Sequence, residues 1–170
     1  MKIRLLISIF FVVILAAAIS ACDDSGTTTY TKVSTSDVPD PCTLFTKADA
    51  EAILGEPVGE STSGEAEGTK SCSYMTTAAG ARIANVIVIK PCSMMDYADY
   101  AESPNAEAIA GIGMHASWDK ATLLVHSKSG DTCIYASGGG NPPGTDPMDD
   151  KPALEQAKKV ANKVLERLEP

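Results

Sequence analysis

The sequence predicts an α+β domain: an antiparallel sheet of about 4–5 strands with helices packed on it, a C-terminal amphipathic helix and two disulfides. Two observations carry this. Two β-branched stretches are each interrupted by a short polar turn, which is how antiparallel neighbours are joined. Helix signals stand before, between and after those hairpins, the order of an α+β domain rather than of repeated βαβ units.

The first helix opens at Thr46. Its hydroxyl can accept from the backbone amides, and Asp49 three residues on completes an approximate capping box. Phe45 just outside is placed to staple onto Ala50. Ile53 and Leu54 are expected inward, Gly55 suits the left-handed residue after a helix, and Pro57 forbids continuation. Residues 59–69 are polar and read as a loop.

The first hairpin comprises Ser71 to Thr76 and Arg82 to Lys90, with Ala79-Gly80 in the turn. In its second strand Ile83, Ile87 and Ile89 point one way and Val86 and Val88 the other. A strand apolar on both faces is expected near the sheet centre. Pro91 ends it. Ser93 with Asp96 begins a short helix through Met94, Met95, Tyr97 and Ala101. Ala106 to Ala110 reads as a helical turn, and Gly111-Ile112-Gly113 as a bend into Ala116-Ser117-Trp118.

The second hairpin comprises Thr122 to Ser127 and Thr132 to Ser137 around Lys128-Ser129-Gly130-Asp131. Leu123 and Val125 are expected on one face and Leu124 on the other. Residues 138–150, rich in Gly, Pro and Asp, form a loop. In the last element Leu154, Ala157, Ala161, Val164, Leu165 and Leu168 fall on one helical stripe. Pro152 lies in its first turn, and Glu155 with Lys159 makes an outer i,i+4 pair. A helix of this length is marginal alone in water, so it must dock on the sheet.

The amino-terminal stretch sets where the domain resides. Lys2 and Arg4 precede an apolar run from Leu5 to Ile19, and small residues Ser20-Ala21 follow. This is the layout of a signal peptide. The uncharged span is at the short limit of about 17 residues for a membrane-crossing helix, and acids rather than a basic cluster follow it. Ile19-Ser20-Ala21-Cys22 resembles the bacterial lipobox. That resemblance implies a diacylglyceryl group on Cys22, cleavage after Ala21 and a mature chain starting at Cys22. Two acyl chains, at about 0.8 kcal/mol per buried methylene, suffice for stable anchoring without a span. The expected layout is thus 1–21 lipoprotein signal peptide, 22–40 flexible tether and 41–170 a single domain. The tether is rich in Ser, Thr and Asp and shows no hydrophobic period.

Charge narrows the partners. The chain of 170 residues carries a formal net charge of −8; Lys2 and Arg4 leave with the leader, which makes it −10. A surface so acidic repels nucleic acid and anionic head groups. Of five cysteines, Cys22 is assigned to lipid. Cys42, Cys72, Cys92 and Cys133 are an even set in an exported chain and read as disulfides, with three pairings open.

Gly111-x-Gly113-x-x-Ala116 has dinucleotide spacing but no βαβ context. His115 and His126 lack the spacing of a zinc site on one element. Asp146, Asp149 and Asp150 lack the calcium-loop pattern, and Asp149-Asp150 suits a helix N-terminus. No G-x-S-x-G elbow is present. Trp118, Tyr74, Tyr97, Tyr100 and Tyr135 are expected in the core rather than in a cleft, and Met94-Met95 at buried helix contacts. No cofactor or metal is expected.

Pro41-Cys42-Thr43-Leu44-Phe45-Thr46-Lys47, running into Ala50-Glu51-Ala52-Ile53-Leu54-Gly55, resembles the opening of small actinobacterial cell-envelope lipoproteins of unknown function. Ser71-Cys72-Ser73-Tyr74, Gly111-Ile112-Gly113-Met114-His115-Ala116-Ser117-Trp118 and the closing Ala157-Lys158-Lys159-Val160-Ala161 helix fit the same group. His115 departs from the group's usual acidic residue at that position. The resemblance implies an exported α+β domain, the pairing Cys42–Cys72, and thereby Cys92–Cys133. It transfers no catalytic residue. The expectation is a lipid-anchored, extracytoplasmic and non-enzymatic module for an envelope protein or small ligand. A carrier for an apolar lipid and, third, a hydrolase are the alternatives.

Overall fold

The computed structural model describes residues 35–78, 80–92 and 103–168. The expected leader, Cys22, most of the expected tether, the helix expected from Ser93, with Met94, Met95, Tyr97 and Tyr100, and Ala79 of the first turn lie outside the described residues.

A single-turn helix, α1 (Pro41–Leu44), starts where Asp40 accepts a hydrogen bond from Cys42 N at 2.9 Å. Helix α2 (Lys47–Leu54) follows, with the reciprocal capping box of Thr46 and Asp49 in place and Gly55 left-handed at φ 73°. Phe45 and Ala50 are both fully buried, as the staple requires, and Leu54 turns inward while Ile53 is only partly covered. Val38 is also in the core and accepts from Lys70 Nζ at 2.9 Å. The folded part therefore begins before residue 41.

Seven strands form one antiparallel sheet: β1 (Thr62–Ala66), β2 (Thr69–Met75), β3 (Ile83–Ile89), β4 (Ala106–Ala108), β5 (His115–Asp119), β6 (Leu124–Ser129) and β7 (Thr132–Gly138). Their spatial order is β1-β2-β3-β7-β6-β5-β4, two meanders joined through the pairing of β3 with β7. The count exceeds the expected 4–5 because both edges were hidden. β1 lies in the polar stretch 59–69 and every residue of it is exposed, so no apolar face marked it. β4 replaces the helical turn expected at Ala106 to Ala110; its alanines pair with Asp119 and Ser117 of β5.

The central strand behaves as its two apolar faces require. Val86 and Val88 are fully buried in the main core; Ile87 and Ile89 pack on the other face against Cys92, Cys133 and Tyr135. β6 runs to Ser129, so the second turn contracts to Gly130-Asp131, with Gly130 at φ 57°. Leu123 falls outside β6, in the preceding turn at φ 54°, yet it packs partly buried against the same core that holds Val125.

Helix α3 (Lys151–Leu168) docks across β7 and β6 and touches α1 and α2. Its buried stripe is Ala153, Ala157, Val160, Ala161, Val164 and Leu165, with Leu154 and Leu168 only partly covered. The stripe is thus rotated from the expected one: small residues face the sheet and the two leucines flank the contact. Glu155 pairs with Lys158 at 2.8 Å rather than with Lys159. Close docking also needs Gly138, where a Cβ would lie 2.3 Å from Gln156 Cβ and 2.6 Å from its carbonyl carbon.

Two disulfides staple the layers. Cys42–Cys72 joins α1 to β2, and Cys92–Cys133 joins the segment after β3 to β7, with Cα–Cα distances of 5.2 and 5.4 Å. No helix among the described residues is long and apolar enough to cross a membrane.

Candidate functional site

At one end of the sheet the β5–β6 turn faces the long loop leading into α3. The turn is fixed by Asp119, whose Oδ1 accepts from Ala121 N at 2.8 Å and Thr122 N at 3.4 Å. It closes through Leu123, the only non-glycine at positive φ among the described residues. A leucine there costs about 1–2 kcal/mol relative to ordinary backbone.

The opposing loop is held by its own polar groups. Asn141 Nδ2 donates to the carbonyls of Asp146 at 3.2 Å and Asp149 at 2.9 Å. Asp146 Oδ1 accepts from Met148 N, and Thr145 Oγ1 donates to Pro142 O. Trp118 is 1 % exposed on β5, and its indole Nε1 donates to Asp150 Oδ2 at 2.9 Å, which ties the loop to the sheet.

Between turn and loop lies a cleft of about 420 Å³ lined by Lys120, Leu123, Asn141, Pro147, Met148 and Asp150. That volume is in the range of small-molecule sites, about 300–1,000 Å³. Two other clefts are smaller: about 300 Å³ beside Gly113 and Leu165, and about 230 Å³ between Asp40 and Lys70. Met148 projects into solvent at 89 % exposure. Lys120 pairs with Glu107 at 2.9 Å, and that hydrogen bond, with the charges of Glu107 and Asp150, raises its pKa.

The expected metal and catalytic candidates gather differently. His115 and His126 stand on neighbouring strands with side chains toward the same face, diagonal to one another, because His115 pairs with Lys128 and Ser117 with His126. His115 is exposed and His126 buried. No group of three or more His, Cys, Asp or Glu able to hold a metal occurs among the described residues. Asp146 and Asp149 are engaged locally by Met148 N and Lys151 N, and Asp150 by Trp118 Nε1 from β5.

On that same face Ser117, His126 and Tyr135 form one row across β5, β6 and β7. The His126 and Tyr135 rings are 4.7 Å apart. Burial lowers the His126 pKa, and the charge of Asp119 opposes the shift. Ser117 Oγ is buried and has no hydrogen-bond partner among the described residues. Tyr74 and Tyr135 are core residues like Trp118. The Gly111 and Gly113 segment is a bend, at φ 83° and 57°, leading into β5.

Sequence reasoning singled out Asp150 and Trp118 but missed Lys120, Leu123, Asn141, Pro147 and Met148. A turn and a loop far apart in the chain carry no shared period that would mark them as one site. No family model matches the chain, and no similar curated protein or solved structure was found.

Proposed function

We propose that this chain is a lipid-anchored envelope lipoprotein on the extracytoplasmic face of a cell membrane, a non-enzymatic module that binds a partner or small ligand. The observation that carries the reading is the use of its cysteines. All four beyond Cys22 are paired in disulfides, and the odd one follows an apolar leader. Paired structural cysteines belong to oxidising compartments, and a lone thiol at that position is what a lipobox supplies. The resemblance to small actinobacterial envelope lipoproteins agrees with this reading. So does the acidity, which disfavours nucleic acid.

The binding-module reading is preferred over a lipid carrier because of the packing. Val86, Val88, Ala157, Val160 and Ala161 fill the layer between sheet and α3 with no exposed surface. A solid layer supports a surface site, and the loop-end cleft is the largest of those described above.

Substituting Cys22→Ala tests the anchor. The expected result is release of the chain from the membrane fraction and loss of the acyl mass from the intact protein. Retention in membranes with an uncleaved leader would overturn the proposal.

A further inference from the structure

Deepening the binding-module reading, on which it rests, we infer that the loop-end cleft takes an aliphatic ammonium group, with the cation at Asp150 and the alkyl part on Leu123, Pro147 and Met148. Charge, hydrogen bonding and apolar surface converge on it. The lining carries one cation, Lys120, and one carboxylate, Asp150, and Glu107, outside the lining, already pairs with Lys120, so the three groups together are net negative. Asp150 uses Oδ2 for the Trp118 indole, while its Oδ1 has no donor among the described residues. Asn141 Oδ1, in the same wall, is a buried acceptor without a partner among the described residues.

The apolar half is equally specific. Met148 is 89 % exposed, and its flexible thioether side chain can adapt to an alkyl group laid against it. Leu123 is held in the left-handed region, where glycine or asparagine would relieve the strain, and its Cδ1 reaches toward Gly140, to 3.9 Å from where a Cβ would stand. Backbone strain of this kind concentrates at ligand sites. No aromatic ring lines the cleft, since Trp118 is buried beneath it. Cation–π capture of a quaternary head is therefore unavailable, and a primary ammonium that donates to a carboxylate oxygen fits best. An anionic ligand would meet the carboxylates of Glu107 and Asp150 in a chain of net charge −8.

The test uses the full chain in non-ionic detergent and titrates n-butylamine, n-butyrate and butan-1-ol at neutral pH. Trp118 is the only tryptophan, so its fluorescence and its single indole N–H resonance report on Asp150. Butylamine is expected to shift both signals saturably; butyrate and butanol are not. Asp150→Asn, which keeps the acceptor for Trp118, should weaken butylamine about tenfold. Met148→Ala, fully tolerable to the fold at an exposed site, should weaken it about threefold. An N-acetyl-lysine methylamide arm separates the two sources of the group: binding as tight as butylamine points to a lysyl side chain of a peptide, weaker binding to a free amine. Absence of a saturable shift, equal binding of butyrate or butanol, or an unchanged constant in Asp150→Asn overturns the inference. The Cys22→Ala fractionation reads the anchor alone, so either proposal can fail while the other stands.

Discussion

Arg82 joins more of the fold than any other single described side chain. It is 7 % exposed, and its guanidinium donates to Leu54 O at 2.9 Å, Gly138 O at 3.4 Å and Gln156 Oε1 at 2.6 Å, with Glu56 at 3.4 Å. One residue just before β3 thereby satisfies the C-terminus of α2, the end of β7 and the first turns of α3. Arg82→Ala is expected to cost about 3 kcal/mol, read as a lower urea midpoint, because the buried acceptors lose a charged donor. Asp49 is a second junction, capping α2 and pairing with Arg167 of α3 at 2.6 Å. Hydrogen bonds from Arg167 first, then from Thr46, lower its pKa from 3.8 to about 2. Its folded pKa is below the unfolded one, so its contribution is present above pH 3.8 and lost as pH falls through about 2. Asp49→Asn should flatten that part of the acid-unfolding profile. His126 has the same sign in another window. Its burial lowers the folded pKa from 6.5, so stability holds above 6.5 and declines as pH falls below it. His126→Phe should remove this slope from the stability curve between neutral and mildly acid pH.

At the scale of elements, the two sheet edges differ in how they are protected. β4 has three residues, whereas β1 has five, and all of them are exposed on a ribbon with β2. Polar composition and Glu65 keep that edge from pairing with other chains. The docking of α3 on β7 leaves no room for a side chain at Gly138. Gly138→Ala should force the helix from β7, since the new methyl meets backbone of Gln156 and Ala157 rather than a flexible side-chain end. A loss of about 2 kcal/mol is expected in thermal unfolding. The α2 cap is a milder case: Thr46→Ala removes the acceptor for Asp49 N and should cost about 1 kcal/mol.

Across the whole molecule, the disulfides close separations of 30 and 41 residues, each contributing about 3–4 kcal/mol in the chain-entropy model. Reduction under non-denaturing conditions should lower the urea midpoint, with Cys42→Ala/Cys72→Ala alone producing about half of the loss. The capping box, Gly55, the apolar alternation of β3, the closing helix and the hairpin turns were legible in the sequence because each depends on residues within one turn or one strand. The pairing of the cysteines followed from resemblance. The sequence by itself also set the net charge. Tertiary structure alone decided the edges, since β1 buries nothing and β4 is three residues of alanine and glutamate whose pairing is fixed by a neighbour. It likewise decided the rotation of α3, which follows Gly138 and the small residues that allow close approach. The cleft belongs to the same class: Leu123 and Met148 are 25 positions apart in the chain, and only the return of β7 beside β6 brings their loops together. Local patterns encode what a segment is, whereas a site made by two loops exists only once long-range pairing has placed them.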